Sequence, residues 1–326
     1  MKRFGSILVT GFSLTIFIAS VLFIWRQDDV IDWWLLRDYD PPAEIVELAE
    51  NTTMTDLGER YFYVYQPQLL DRETFRQQCI VAEKSIVLGC YVSRQGIYIY
   101  DVTDEQLAGI REVTAAHEML HVAYERLNTA ERERIDELNL AIYDQLDNER
   151  IKRTIQAYRD RDPNIVANEL HSVLPTEVRE LDNPELEEYY AQYFDDRLAV
   201  VEYSEQYASV FDEARQRVEQ LDEQLKQQRD EIDTLQTTLD NQASSLEAER
   251  SRLNQLFEDE QFEEYNEGVS TFNANVQSYN ETVNRLRSLI DRYNRLVAER
   301  NDAVVAFESL TTSIDTRPPD TIDPLQ

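Results

Sequence analysis

The chain has 326 residues, with 64 Asp and Glu against 32 Lys and Arg, a formal net charge of −32 at pH 7. Self-repulsion on that scale favours solubility and repels polyanions, which argues against nucleic acid as a partner. No basic patch, glycine-rich phosphate loop or C-x-x-C motif offsets this.

Phe4 to Trp25 is almost wholly apolar and uncharged, long enough to cross a bilayer as a helix. Lys2 and Arg3 precede it and Asp28, Asp29 and Asp32 follow. The positive-inside rule then puts the N-terminus in the cytoplasm and the bulk of the chain outside. Trp25, Trp33 and Trp34 cluster past the span, where amphipathic rings favour an interface. The stretch has no small-residue cleavage site at its end, so a retained anchor is favoured over a signal peptide. Residues 1–27 are therefore expected to be a transmembrane anchor, with the membrane as a partner and a single-pass localisation.

Residues 38–200 are long enough to bury a core of their own. Tyr61–Tyr65, Ile86–Val92 and Ile97–Tyr100 read as strands, short and rich in β-branched and aromatic side chains. Cys79 and Cys90 are the two cysteines. Outside the cytoplasm they are expected to bond, which would contribute roughly 2–3 kcal/mol by restricting the unfolded chain. Thr103 offers an N-cap, with Gln106 placed for a capping box. Leu107, Ile110, Val113, Thr114, Leu120 and Val122 follow at near-helical spacing. Asn128 with Glu131 marks the start of the next helix.

Within that helical stretch lies His117-Glu118-Met119-Leu120-His121, an H-E-x-x-H pattern. Histidines at i and i+4 share one helix face, so both rings can reach one metal ion. Glu118 stands beside them, placed to take a proton from metal-bound water. The chain has three histidines, and two of them form this pair. The plain alternative is two surface histidines on an ordinary helix.

The third histidine lies in Asn168-Glu169-Leu170-His171-Ser172. Glu169 or His171 can supply a third ligand, but being two apart they face different sides of a helix. Together the motifs resemble the gluzincin zinc peptidases, the thermolysin-like clan, whose second helix carries N-E-x-x-S-D. Asn168, Glu169 and Ser172 match that pattern; Val173 stands where the family has Asp. The resemblance is a motif match over about residues 97–175. It implies zinc held by His117, His121 and Glu169, with Glu118 activating water. His171 is then free to line the cleft as a catalytic residue that hydrogen-bonds substrate or the developing oxyanion. It also implies that Ile97–Tyr100 lies along the cleft and pairs with an extended substrate. The missing Asp means that the groups orienting the ligand histidines must be built differently.

A helix is expected near Pro184–Ala199. Its Tyr189, Tyr190 and Tyr193 read as packing residues, or by the resemblance as a donor to the tetrahedral intermediate. From Phe211 to Leu256 apolar residues recur at alternating steps of three and four, and a second such seam runs from Phe262 to Phe307. The seams are out of phase by two residues, which predicts a turn near Glu258–Gln261 and an antiparallel hairpin over 201–310. Each arm would be on the order of 70 Å long. A single long helix that dimerises is the alternative, and a coiled-coil partner or self-association stays open. The Thr-, Asp- and Pro-rich residues 311–326 read as a disordered tail.

The expected fold class is α+β: a transmembrane helix, a small, mainly helical zincin-like domain with a short sheet, then a coiled-coil hairpin. The expected function is a membrane-anchored, extracytoplasmic zinc metallopeptidase acting on proteins or peptides. The competing reading is a non-enzymatic envelope tether with a vestigial metal site. Glu118 separates them, because a purely structural zinc site has four protein ligands and needs no base.

Overall fold

The computed structural model describes residues 27–79 and 86–317. They form two units. One runs to Ser209 and resumes at Ser313; the other is Val210–Thr312.

The first unit is predominantly helical, which corrects the α+β expectation. Its helices are α1 Gln27–Leu36, α2 Ala43–Asn51, α3 Asp56–Tyr63, α4 Arg72–Gln78, α5 Ile110–Glu125, α6 Thr129–Gln145, α7 Glu149–Arg161, α8 Val166–Glu177 and α9 Pro184–Tyr190. Three short strands, β1 Gln68–Leu70, β2 Gly89–Val92 and β3 Gly96–Tyr100, make one sheet in the order β1-β3-β2. Most of the expected strand Tyr61–Tyr65 is instead helix α3. Thr55 caps it, its side chain accepting from the Gly58 N–H at 3.2 Å, with Asp56 and Glu59 in the first turn. A cap and two acids at a helix N-terminus outweigh the β preference of a short aromatic run.

β3 is the central strand, parallel to β1 and antiparallel to β2. All five of its residues are buried. Paired on both sides, it cannot take a substrate strand, and this corrects the role expected of Ile97–Tyr100. The edge nearer the histidine helix is β2. A disulfide joins its Cys90 to Cys79, the residue that ends α4, with Cα atoms 6.1 Å apart.

The core forms around α5. Ala115, Ala116, Met119, Leu120 and Val122 are fully buried and pack against α2, α3, α8 and the sheet. Burying a side chain the size of Leu120 stabilises by about 1.5–3 kcal/mol. The helix begins later than its apolar spacing suggests. Asp104, not Thr103, caps a short 3₁₀ turn, and α5 starts after Gly109 at φ +96. A Cβ at Gly109 would lie 2.8 Å from the Tyr203 ring, so both backbone and packing call for glycine. At the next helix the Asn128–Glu131 capping box is present in both directions. The expected helix Pro184–Ala199 is interrupted, because 191–196 pair with the loop before α3. Thr55 N–H donates to Tyr193 O at 3.0 Å, and Asp195 N–H to Thr53 O at 2.8 Å.

No helix among the described residues is long and apolar enough to cross a membrane. This corrects the expected transmembrane helix and single-pass localisation as far as the described residues go. α1 has ten residues, spans about 15 Å and carries Asp28, Asp29 and Asp32. Phe4–Trp25 lies outside the described residues.

Two long helices, α10 Arg197–Glu258 and α11 Phe262–Ile314, carry the second unit, joined by the turn 259–261. Their contacts run in antiparallel order. Arg217 pairs with Glu299, Asp222 with Arg300 at 2.8 Å and Glu231 with Arg285 at 2.8 Å, while Leu253 lies against Gly268 near the turn. Leu221, Leu235, Leu253, Leu289 and Leu296 are the buried seam residues. Gln228 and Gln242 each bury a side-chain oxygen without a partner, marking the polar breaks in the seam.

At the end of α11 the chain rejoins the first unit. Tyr100 Oη donates to Ser313 O at 3.0 Å, Arg76 Nε to Thr316 O at 2.8 Å, and Thr316 Oγ1 to Val87 O at 2.6 Å. Asp315 and Thr316 are buried. The expected disordered tail 311–326 is corrected over 311–317, where helix and hydrogen bonds hold the chain; 318–326 lies outside the described residues.

Candidate metal centre

Two adjoining helices build the site. α5 presents His117, Glu118 and His121, and α8 presents Asn168, Glu169 and Ser172. His117 Nε2 lies 3.5 Å from Glu169 Oε2, and His121 Nε2 lies 3.9 Å from Glu169 Oε1. The two imidazoles stand nearly perpendicular, 4.7 Å between centroids. One ligand atom from each of the three residues falls within 4.8 Å of the others. Ligand atoms around a tetrahedral ion with bonds of ~2.0–2.1 Å sit roughly 3.3 Å apart, so this group could bind a metal.

The surroundings of Glu169 fit the same reading. Its Oε2 is buried and accepts no hydrogen bond, and 3.5 Å is too long for one from His117. An orphaned buried carboxylate oxygen is costly unless a cation completes it. Burial alone would raise the Glu169 carboxyl. The imidazoles of His117 and His121 and the Tyr158 hydroxyl override this and hold it below the usual range.

Asn168 and Ser172 are both placed to orient His121. Asn168 Oδ1 lies 3.0 Å from His121 Nδ1, and Ser172 Oγ lies 3.2 Å from the same nitrogen. A donor–acceptor contact at Nδ1 fixes the ring and leaves Nε2 for the metal. Val173 is turned into the core instead.

Glu118 is buried beneath β2, 4 % exposed, and its Oε2 has no partner. Burial pushes its carboxyl up to about 7; Glu169 adds to the rise, while His121 and the Tyr91 backbone N–H oppose it. A base near neutrality can both take and return a proton. Gly89 allows this approach, since a Cβ there would lie 2.5 Å from Glu118 Oε1.

A cavity of about 310 Å³ opens over the group. Gly89, Cys90, Tyr91 and Val92 of β2 line it together with Cys79, Val87, Tyr158, Arg161 and Ile165. Sequence spacing singled out neither Tyr158 nor Gly89. Tyr158 sits in an ordinary amphipathic helix without a motif. Gly89 carries the one legible signal, an isolated glycine in a strand where backbone and helix come close.

The structure does not bring His171 to this cavity. It is fully buried on another face of α8, its ring against Tyr124, Tyr189 and Tyr190. Its Nε2 meets Tyr189 Oη at 2.7 Å. Burial, with the nearby imidazoles, pushes it down to about 3, so it stays neutral. The catalytic part expected of His171 is thereby corrected. Two residues beyond Glu169 on a helix, it must point away from whatever Glu169 holds. Tyr189, Tyr190 and Tyr193 belong with it as packing and hydrogen-bonding partners, none of them lining the cavity.

Comparison of the chain with protein-family models, curated proteins and solved structures finds no match.

Proposed function

We propose that the chain is a zinc-dependent metallopeptidase of the gluzincin type, hydrolysing peptide bonds in protein or peptide substrates. The observation that carries this reading is Glu118. Its unpartnered carboxylate oxygen is buried beside a three-ligand group that leaves a position open. A structural site would have four protein ligands.

His117, His121 and Glu169 would hold zinc, the ion best suited to two imidazoles and a carboxylate with an open position. Bound zinc would supply Lewis acidity to the scissile carbonyl and to the attacking water. Glu118 takes the proton from that water and returns it to the leaving amine. Tyr91 N–H orients Glu118, and Asn168 with Ser172 keeps His121 Nε2 turned to the ligand group. An extended peptide would add to β2, the edge strand of the described sheet, whose four residues all line the cavity.

Zinc titration of metal-stripped full-length protein tests the site directly. One equivalent should bind, and His117→Ala, His121→Ala and Glu169→Ala should each lose it. Asn168→Ala and Ser172→Ala should weaken binding by about 10–100-fold, the usual effect of removing a group that orients a ligand. His171→Ala should retain zinc. A wild-type protein that takes up no stoichiometric zinc sinks the proposal.

A further inference from the structure

The tip of the hairpin exposes aromatic surface that its own fold does not need. Phe257 closes α10 and is 57 % exposed, and Phe262 opens α11 and is 52 % exposed. Their rings meet edge to face at 5.9 Å, and Phe257 also touches Tyr265 at 5.5 Å. That contact helps to close the turn, yet each phenylalanine leaves over half its surface in water. Below the tip, Leu253 against Gly268 already brings the arms together. Most other large exposed apolar side chains among the described residues lie on α1 or stand singly.

The surrounding charge is of one sign. Glu258, Asp259, Glu260, Glu263, Glu264 and Glu267 are exposed and lie within five residues of Phe257 or Phe262 in the chain, and no Lys or Arg occurs between Arg252 and Arg285. An apolar centre inside a charged rim is the usual anatomy of a protein interface, with aromatic residues as anchors. An acidic rim selects its complement and speeds its approach.

We propose that the hairpin tip is a docking surface for a basic protein segment whose apolar side chains cover Phe257 and Phe262 while its Lys and Arg meet the acidic rim. A second copy of the tip is a poor occupant, because like charges would face each other across the contact.

The test uses the full chain and a labelled synthetic amphipathic helix, leucine on one face and lysine on the other, followed by fluorescence anisotropy. Binding is expected to weaken at least about 10-fold in Phe257→Ser/Phe262→Ser, as for an aromatic anchor. Reversing Glu258, Glu260 and Glu263 to Lys should slow association and flatten its salt dependence. Reversing Glu213, Glu219 and Glu223, far from the turn, should change little, and far-UV dichroism should show helicity kept in all variants. Equal losses from the two charge reversals would reduce the effect to bulk charge and overturn the proposal. So would undiminished binding by the serine variant, or no binding to wild type. None of these readouts depends on metal or on hydrolysis.

Discussion

Glu118→Gln should abolish peptide hydrolysis while leaving one equivalent of zinc bound. The substitution preserves size and helix preference but replaces the proton acceptor with an amide. General acid–base help is typically worth about 10²–10⁴-fold, and the loss should reach at least that, because the same carboxylate also positions the attacking water. Gln can still accept from Tyr91 N–H, so the melting temperature should move by only a few degrees. The measurement is a peptide-library digest comparing wild type, chelator-treated wild type and the variant, with zinc determined in parallel. Cleavage by the variant at the wild-type rate would remove the enzymatic reading. The tether would then remain, and His117 and His121 could be altered without loss of function.

Gly89→Ala should reach the same chemistry by another route. The added Cβ would lie 2.5 Å from Glu118 Oε1, 2.5 Å from Thr114 Cγ2 and 2.8 Å from Glu118 Cγ. The helix side of that contact is rigid, since α5 is the centre of the core. The strand must therefore give way, or Glu118 must. Overpacking of this kind typically costs about 1–3 kcal/mol. Displacing β2 also withdraws Tyr91 N–H from Glu118 and moves the strand edge proposed to take substrate. Activity should fall by about 10²-fold, the scale on which misplacement of about 1 Å acts. Zinc affinity should stay within a few-fold of wild type, because the atoms nearest to the added Cβ belong to Glu118 and Thr114 and not to the three ligands. A lowered melting temperature with retained zinc distinguishes this variant from Glu118→Gln. Unchanged turnover would show that β2 does not position the base.

These expectations rest on groups of unequal legibility. The metal group was readable because H-E-x-x-H is a local pattern on one helix, and i, i+4 geometry brings its rings together without help from the rest of the fold. Glu169 followed from a second local pattern. What neither pattern contains is the direction of α8 relative to α5. That direction sends Asn168 and Ser172 to His121 and turns His171 into the tyrosine cluster. A lone histidine two positions from a ligand has no sequence mark separating a cleft from a core. The disulfide was legible from cysteine count. The Tyr61–Tyr65 segment misled because its aromatic alternation is a β signal, whereas Thr55 and the Asp56–Glu59 turn decide its structure through capping. The order of the strands could not be read from their sequences. β1, only three residues long, is what makes β3 central.

The split of the first unit has a consequence for how the protein is made. Val87 leads into β2, yet the hydroxyl that accepts its N–H and donates to its carbonyl belongs to Thr316, on the far side of the whole hairpin. At ribosomal rates of ~5–20 residues per second, the roughly one hundred residues between Ser209 and Ser313 take on the order of 5–20 s to appear. Through that interval the histidine helix and Glu169 are already synthesised, while the strand that confines Glu118 lacks its last tether. The three residues that could hold a metal are thus all synthesised before the residue that tethers the cavity wall formed by β2. A chain stopped after Thr312 should show faster amide exchange over Val87–Val92 than the full chain, with exchange within α5 little changed.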